Sequence, residues 1–517
     1  MNRSAIGWPA VVTVVLALAL GVFAMNPLPI GIVRDDARYL LLARSIAEGT
    51  GYRFMLLPGS PAGTHFPPAF PLVLAAVWKV APAFPANVTL FKVLNALMLG
   101  LAATAVFAFA RDRAKLASWA ATGVALAFAG SAPVLFLDGV LFSEPFFIAA
   151  MCGALIVSER SIRPRESAAA DKPPIAHIAF AGGLAIGGVT MIRTLGIAVG
   201  AGIAVTLIIR RQGRELASSM AGIALVVVPW QLWTMRHGGE IPPILSGDYG
   251  TYLSWLGTAL HTEGAGFFAR VFAANLTGFS AVLVLFGVSG TMAAIVAVPL
   301  LLALAVGTVR LARSAPVSVV SIAAYLLVVL FWPFTPDRFL WPAWPFLLVG
   351  VARGASEIAK WRPSSAQWRL ARNSTLAALA GCALLFVRYN VGTYGSRTWE
   401  GYARDNAKLA IAESETAAQL PDGLVASEFD ALVSLYTGRQ AIPLLPLMAA
   451  NYLRKRTPRE AADQLSDMLD AYHPRFLLVG TGEGLEAARL LAHASAPRIR
   501  FGGISPAGIL MYVPTSP

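Results

Sequence analysis

The sequence predicts an α-helical polytopic membrane protein of about eleven transmembrane helices, followed by a small α/β domain. Three observations carry that expectation. Apolar residues make up 56% of the 517 and charged residues 13%, about half the ~25% typical of a soluble domain. Uncharged runs long enough to cross a ~30 Å hydrocarbon core recur along the first three quarters of the chain. After residue 390 the character changes: 12 basic side chains meet 13 acidic ones, and helical stretches alternate with short β-like runs.

The apolar runs fall at 8–30, 87–110, 116–131, 139–157, 175–190, 195–209, 216–235, 281–309, 317–332, 339–351 and 375–387. The first is longer than the ~7–15 residues of a signal-peptide core and lacks a small-x-small cleavage site, so it reads as an uncleaved span. Loop charges set the orientation. With the N-terminus inside, Arg111/Arg113/Lys115, Arg160/Arg163/Arg165/Lys172, Arg210/Arg211/Arg214, Arg310/Arg313 and Arg353/Lys360/Arg362/Arg369/Arg372 are all cytoplasmic, as the positive-inside rule requires. The loop from residue 31, the 236–270 segment, 333–338 and the tail are then external. The net charge of +13 belongs to the membrane part, where it reports orientation and not nucleic-acid binding. Cys152 and Cys382 lie in apolar runs, where packing is the expected role. Residues 1–390 therefore form a transmembrane domain whose first external loop spans 31–85, and 391–517 a separate tail. In the tail, helices are expected at 406–419 and 458–472 and strands at 424–427, 476–479 and 509–513.

The chain is organised around residues 30–80. Asp35 and Asp36 follow the first span, either as caps on the positive end of the next helix or as functional acids at a membrane edge. Residues 37–48 carry Tyr39, Leu42, Ala43 and Ile46 at helical spacing, with Arg38, Ser45 and Glu48 elsewhere, as in a helix lying along the membrane surface. Gly49-Thr50-Gly51 stops it, and a Pro/Gly-rich loop follows, carrying His65 before Phe66-Pro67-Pro68. In the fourth span, Ser143-Glu144-Pro145 puts a carboxylate between phenylalanines, where it must be paired or face a cavity; a kink stabilised by Ser143 is the alternative. Arg193, in Met191-Ile-Arg-Thr-Leu-Gly196, and Arg338, in Pro336-Asp-Arg-Phe339, interrupt apolar sequence at outer turns. Each arginine has a second reading, as a snorkelling side chain or, for Arg338, a partner of Asp337.

Taken in order, these motifs resemble the type C glycosyltransferases that use polyprenyl-phosphate sugars, and among them the aminoarabinose transferase and protein O-mannosyltransferase group. That resemblance implies an inner-membrane enzyme with a periplasmic tail. It would move a sugar, with inversion, from a lipid-phosphate donor to an acceptor on lipid A, glycan or protein; no cofactor is expected, and no metal-ligand residues are assigned. Asp35 stands at the group's catalytic aspartate and Asp36 at its second acidic position, where Glu is common. His65, Arg193, Arg338 and Glu144 stand where the group binds substrate and phosphate, although Phe66 separates His65 from Pro-Pro and Arg193 lacks the group's following proline. Leu435-Tyr-Thr-Gly-Arg439 resembles a segment of the group's soluble tails.

Other chemistries find little support. There is no Walker loop, HExxH or zinc-type spacing, and His237 and His261 lack a ligand cluster. Gly480-Thr-Gly-Glu-Gly484 departs from the dinucleotide fingerprint at Leu485, and an external domain meets no cytoplasmic nucleotide. The sequons at Asn87 and Asn275 sit at or within spans. The rival function is a transporter or flippase of lipid-linked glycans, which would be expected to show repeat halves that this sequence lacks. A non-catalytic assembly protein would leave the Asp pair and Glu144 unexplained.

Overall fold

The computed structural model describes residues 7–162, 176–480 and 482–515. Arg163, Arg165 and Lys172, expected on the cytoplasmic side, lie outside these ranges. The chain forms two compact units. The first gathers Met1–Met25, Val93–Pro229 and Phe272–Trp399; the second gathers Asn26–Lys92, Trp230–Val271 and Glu400–Pro517.

Five described helices are long and apolar enough to cross a membrane: Val88–Asp112, Gly213–Glu240, Ala265–Phe286, Gly290–Ser314 and Ala366–Gly392. Ser118–Ala129 and Ala132–Gly139, bent by 59° at their junction, add a sixth if counted as one span. The helices Trp8–Ala24, Ala69–Val80, Ala176–Ile192, Thr194–Ile209 and Pro316–Phe331 are apolar but shorter, at 10–17 residues.

Two expected runs take a different form. Residues 281–309 are not one helix: Gly287 turns the chain at φ 66°, in the left-handed region that glycine enters without penalty, and Gly290–Ser314 starts after Ser289. The residues before the turn extend an apolar helix back to Ala265 that the run pattern did not predict. The 116–131 run ends in the 59° bend, where side chains satisfy the interrupted backbone. Asn390 Oδ1 accepts from the Ala132 amide at 3.0 Å, and the Tyr394 hydroxyl donates to the Gly130 carbonyl at 2.7 Å.

Small residues bring helices of the first unit into backbone contact. A Cβ at Gly307 would lie 1.9 Å from the Gly350 carbonyl oxygen, and one at Gly354 would lie 1.8 Å from that of Ala303. Gly290–Ser314 and Trp344–Lys360 therefore pack with no room for a side chain at either point. Asn275, in a sequon, is buried and donates to the carbonyls of Val329, Leu330 and Trp332, which closes the C-terminal end of Pro316–Phe331. Arg397 closes Trp8–Ala24 in the same way, donating to the Phe23, Ala24 and Met25 carbonyls.

The second unit contains a five-stranded sheet of β1 (Val425–Ser427), β2 (Ala441–Pro443), β3 (Phe476–Val479), β4 (Ile499–Ile504) and β5 (Leu510–Pro514). Its order is β2-β1-β3-β5-β4, with β1 parallel to both neighbours and β5 antiparallel to both of its own. Helices Gly401–Gln419, Asp430–Thr437, Pro458–Tyr472 and Gly482–Ala492 connect and flank the strands. Pro458–Tyr472 begins with a capping box between Thr457 and Glu460.

The entry to Asp35–Ala47 is a turn that requires glycine. Gly31 has φ 112°, and a Cβ there would lie 2.7 Å from Leu432 Cβ. Gly31→Ala is expected to cost about 1–3 kcal/mol of stability, from strained backbone and overpacking together. Thermal unfolding of the purified variant in detergent checks this; an unchanged melting temperature would show that the turn can relax.

Candidate active site

The helix expected at 37–48 spans Asp35–Ala47, so both acids lie in its first turn, where the helix dipole favours negative charge. The two carboxylates do different work. Asp36 is fully buried: Oδ2 accepts from the Gly31 amide at 2.7 Å and Oδ1 from the Ala37 amide at 3.1 Å. It holds together the turn that starts the helix. Burial pushes its carboxyl up to about 7 despite those hydrogen bonds. The Asp35 side chain is partly exposed, at 22%, and its Oδ1 stands 3.9 Å from Arg38 Nη1.

Arg38 lies inside the unit, not on the polar face of a surface helix. Its Nη2 donates to Asp248 Oδ1 at 2.9 Å and lies 4.0 Å from Asp430 Oδ1, and its guanidinium stacks 4.4 Å from the centre of the Tyr249 ring. The Tyr249 hydroxyl donates a hydrogen bond to Asp430 Oδ2, and Asp248 Oδ2 accepts from the Leu447 amide at 2.8 Å. Burial raises the Asp430 carboxyl, against the pull of Arg38. Motif reading missed Arg38, Asp248, Tyr249 and Asp430. Asp248 lies 210 residues from Arg38, and nothing near either position signals the pairing.

His65 is also buried. Nδ1 lies 2.7 Å from the Gly250 carbonyl oxygen and so carries the proton, and the ring packs against Tyr252 and Phe66. Burial lowers it to about 4, which leaves a neutral imidazole that ties the Pro/Gly-rich loop to the 246–252 segment.

In the first unit, three motifs far apart in the chain meet. Glu144, fully buried at the start of Glu144–Ser158, holds Arg193 Nη1 at 2.6 Å and Arg338 Nε at 2.8 Å on the same oxygen, Oε1. Arg193 Nη1 also donates to Ser143 Oγ at 3.2 Å, and the Arg338 guanidinium lies 3.8 Å from the centre of the Phe142 ring. Two guanidinium groups thus share one carboxylate oxygen, and the Arg338 side chain is 26% exposed.

A Cβ at Gly484 would lie 2.8 Å from Glu428 Oε1, so a carboxylate of the chain stands at the start of Gly482–Ala492, where a phosphate would bind; Thr481 lies outside the described residues. Both cysteines are buried and free. Among the described residues, no group of three or more His, Cys, Asp or Glu side chains is placed to hold a metal ion.

No protein-family model matches the chain, and no curated protein matches it in sequence. Solved structures do match. ArnT from Cupriavidus metallidurans bound to undecaprenyl phosphate aligns over 99% of each chain at 14% identity, with a TM-score of 0.51. Its apo form aligns over 97% of each chain at 14% identity and a TM-score of 0.52. The archaeal oligosaccharyltransferase AglB from Archaeoglobus fulgidus, in complex with an inhibitory peptide and a dolichol-phosphate, aligns over 98% of this chain and 74% of its own, at 12% identity and a TM-score of 0.52. The chain has the type C glycosyltransferase fold. At these identities the likeness establishes the fold and not the substrates.

Two outcomes test the electrostatics of this type C fold. The Asp36 carboxyl titrates near 7 when folded and near 3.8 when unfolded, so its contribution to stability is complete below pH 3.8 and lost as pH rises through about 7. The stability of the native chain relative to Asp36→Asn should fall across that window; a difference independent of pH would mean that Asp36 does not titrate there. Glu144→Gln leaves two guanidinium groups together and should cost about 3–5 kcal/mol. Combining it with Arg193→Gln should cost less than the sum of the single changes, and strict additivity would show that the pair is not coupled.

Proposed function

We propose that this protein is a membrane glycosyltransferase that moves a sugar from a polyprenyl-phosphate donor to an acceptor in the cell envelope, at the periplasmic face of the inner membrane. The observation that carries this reading is the Glu144 oxygen shared by Arg193 and Arg338, which brings two guanidinium groups together, one of them partly exposed. A polyprenyl-phosphate sugar is a phosphodiester with one negative charge, and guanidinium groups are suited to bind it. The ligands in the neighbouring structures, undecaprenyl phosphate and dolichol-phosphate, support a lipid donor. The loop charges support a site on the outer side, where a lipid carrier can deliver a sugar and a cytoplasmic nucleotide sugar cannot.

In this mechanism Asp35 takes the proton from an acceptor hydroxyl as its oxygen attacks the anomeric carbon. The bond from that carbon to the phosphate oxygen breaks, the configuration inverts, and the polyprenyl phosphate departs with a second negative charge. Arg193 and Arg338 stabilise the charge that develops there. Coulomb attraction between phosphate and guanidinium is on the order of several kcal/mol at intermediate dielectric, before desolvation is subtracted. Asp36 keeps the helix start in place and His65 fixes the loop; neither takes part in the bond changes. The acceptor, on lipid A, glycan or protein, is left open by these residues.

Purified protein supplied with a polyprenyl-phosphate sugar and a crude envelope acceptor should yield glycosylated product and free polyprenyl phosphate, without a nucleotide. Asp35→Asn should lower turnover by about 10²–10⁴-fold. Asp36→Asn should act mainly on stability, and loss of either arginine should slow transfer heavily. If a labelled sugar instead crosses a proteoliposome membrane still attached to its lipid, the protein is a flippase and the proposal fails.

A further inference from the structure

The C-terminal segment contributes the carboxylate of Asp430 to the group around Arg38, where it takes no part in the bond changes of sugar transfer. We propose that Asp430 is a positioning residue for Asp35 that acts through Arg38, an inference that rests on reading Asp35 as the base.

Three carboxylates compete for one guanidinium. Asp248 takes Arg38 Nη2 at 2.9 Å, and Asp430 draws on the same nitrogen from 4.0 Å. The other terminal nitrogen, Nη1, is left 3.9 Å from Asp35, beyond hydrogen-bond contact. The stop is well defined, because each competing acid is itself held: Asp248 by the Leu447 amide and Asp430 by the Tyr249 hydroxyl, with the Tyr249 ring under the guanidinium. The arrangement keeps the positive charge near enough to favour an ionised Asp35 and keeps the Arg38 donors off that carboxylate. A carboxylate locked to an arginine fork is a weaker base, since its lone pairs are occupied and its proton affinity falls. Arg34, Asp36, His65 and Arg456 also face this group, from the helix entry, the loop and the C-terminal segment.

Removing the negative charge of Asp430 therefore frees Arg38 to close on Asp35. Shortening a contact of this length to a hydrogen-bonded one at intermediate dielectric lowers the proton affinity of Asp35 about tenfold. The side chain that sets the strength of the base thus comes from almost 400 residues further along the chain, at the start of Asp430–Thr437.

Infrared titration of the full-length protein in detergent tests this without a substrate. The carboxylate signal of Asp35 is isolated as the difference between the native chain and Asp35→Asn, and the same difference is taken in an Asp430→Asn background. We expect Asp35 to titrate at lower pH in that background, by about a tenfold change in proton affinity. Tyr249→Phe, which removes only the hydroxyl that anchors Asp430, should shift it the same way by less. An Asp35 signal that stays at the same pH in both backgrounds overturns the proposal, whatever happens to stability. A shifted signal combined with full turnover in Asp35→Asn would instead leave the coupling standing and refute the base.

Discussion

A buried guanidinium needs carboxylates around it, and in the second unit that need binds together segments that are remote in sequence. Arg38 meets Asp248 and Asp430, with the Tyr249 ring beneath it. An unpaired arginine inside a protein carries a penalty of several kcal/mol, so the helix that carries Arg38 is in place only when the other segments are. This is why the first loop, the 230–271 segment and the tail form one compact unit, although long stretches of apolar helix separate them in the chain. Lys92 does the same work on a smaller scale, donating to the Asn26 side chain and to the carbonyls of Asn26 and Leu28.

The first unit solves the converse problem. Glu144 is a carboxylate in apolar sequence, and two arginines meet on one of its oxygens. Its helix begins at that residue, with a proline next, so the acid sits at a helix start and not in mid-span. Phe142 and Phe339 wall the arginines, with the Phe142 ring 3.8 Å from the Arg338 guanidinium. An aromatic face interacts favourably with a guanidinium and takes none of its hydrogen bonds.

Adjacent identical residues can stand in different surroundings. Asp35 and Asp36 share chemistry and helix turn, yet Asp36 is used by the backbone of its own turn while Asp35 is partly exposed. His65 shows the same economy: a histidine that looks like a phosphate ligand in sequence is a neutral, buried group hydrogen-bonded to a carbonyl.

The sequence by itself determined the features set by local rules. Apolar composition and charge placement mark a membrane chain, Pro458–Tyr472 begins at its capping box, and β3 coincides with its hydrophobic run. The same rules bring out Asp35, Glu144, Arg193 and Arg338, because an ionisable residue in apolar surroundings is conspicuous wherever its partner lies. The failures were of two kinds. Gly287 broke a run that hydropathy joined, because a single positive φ ends a helix without altering the apolar count. The Arg38 group stayed hidden, because Asp248 and Asp430 lie in polar sequence where a carboxylate draws no notice. Only the tertiary structure decided which charges meet, since ion pairing depends on distance in space and these partners come together only when the chain folds.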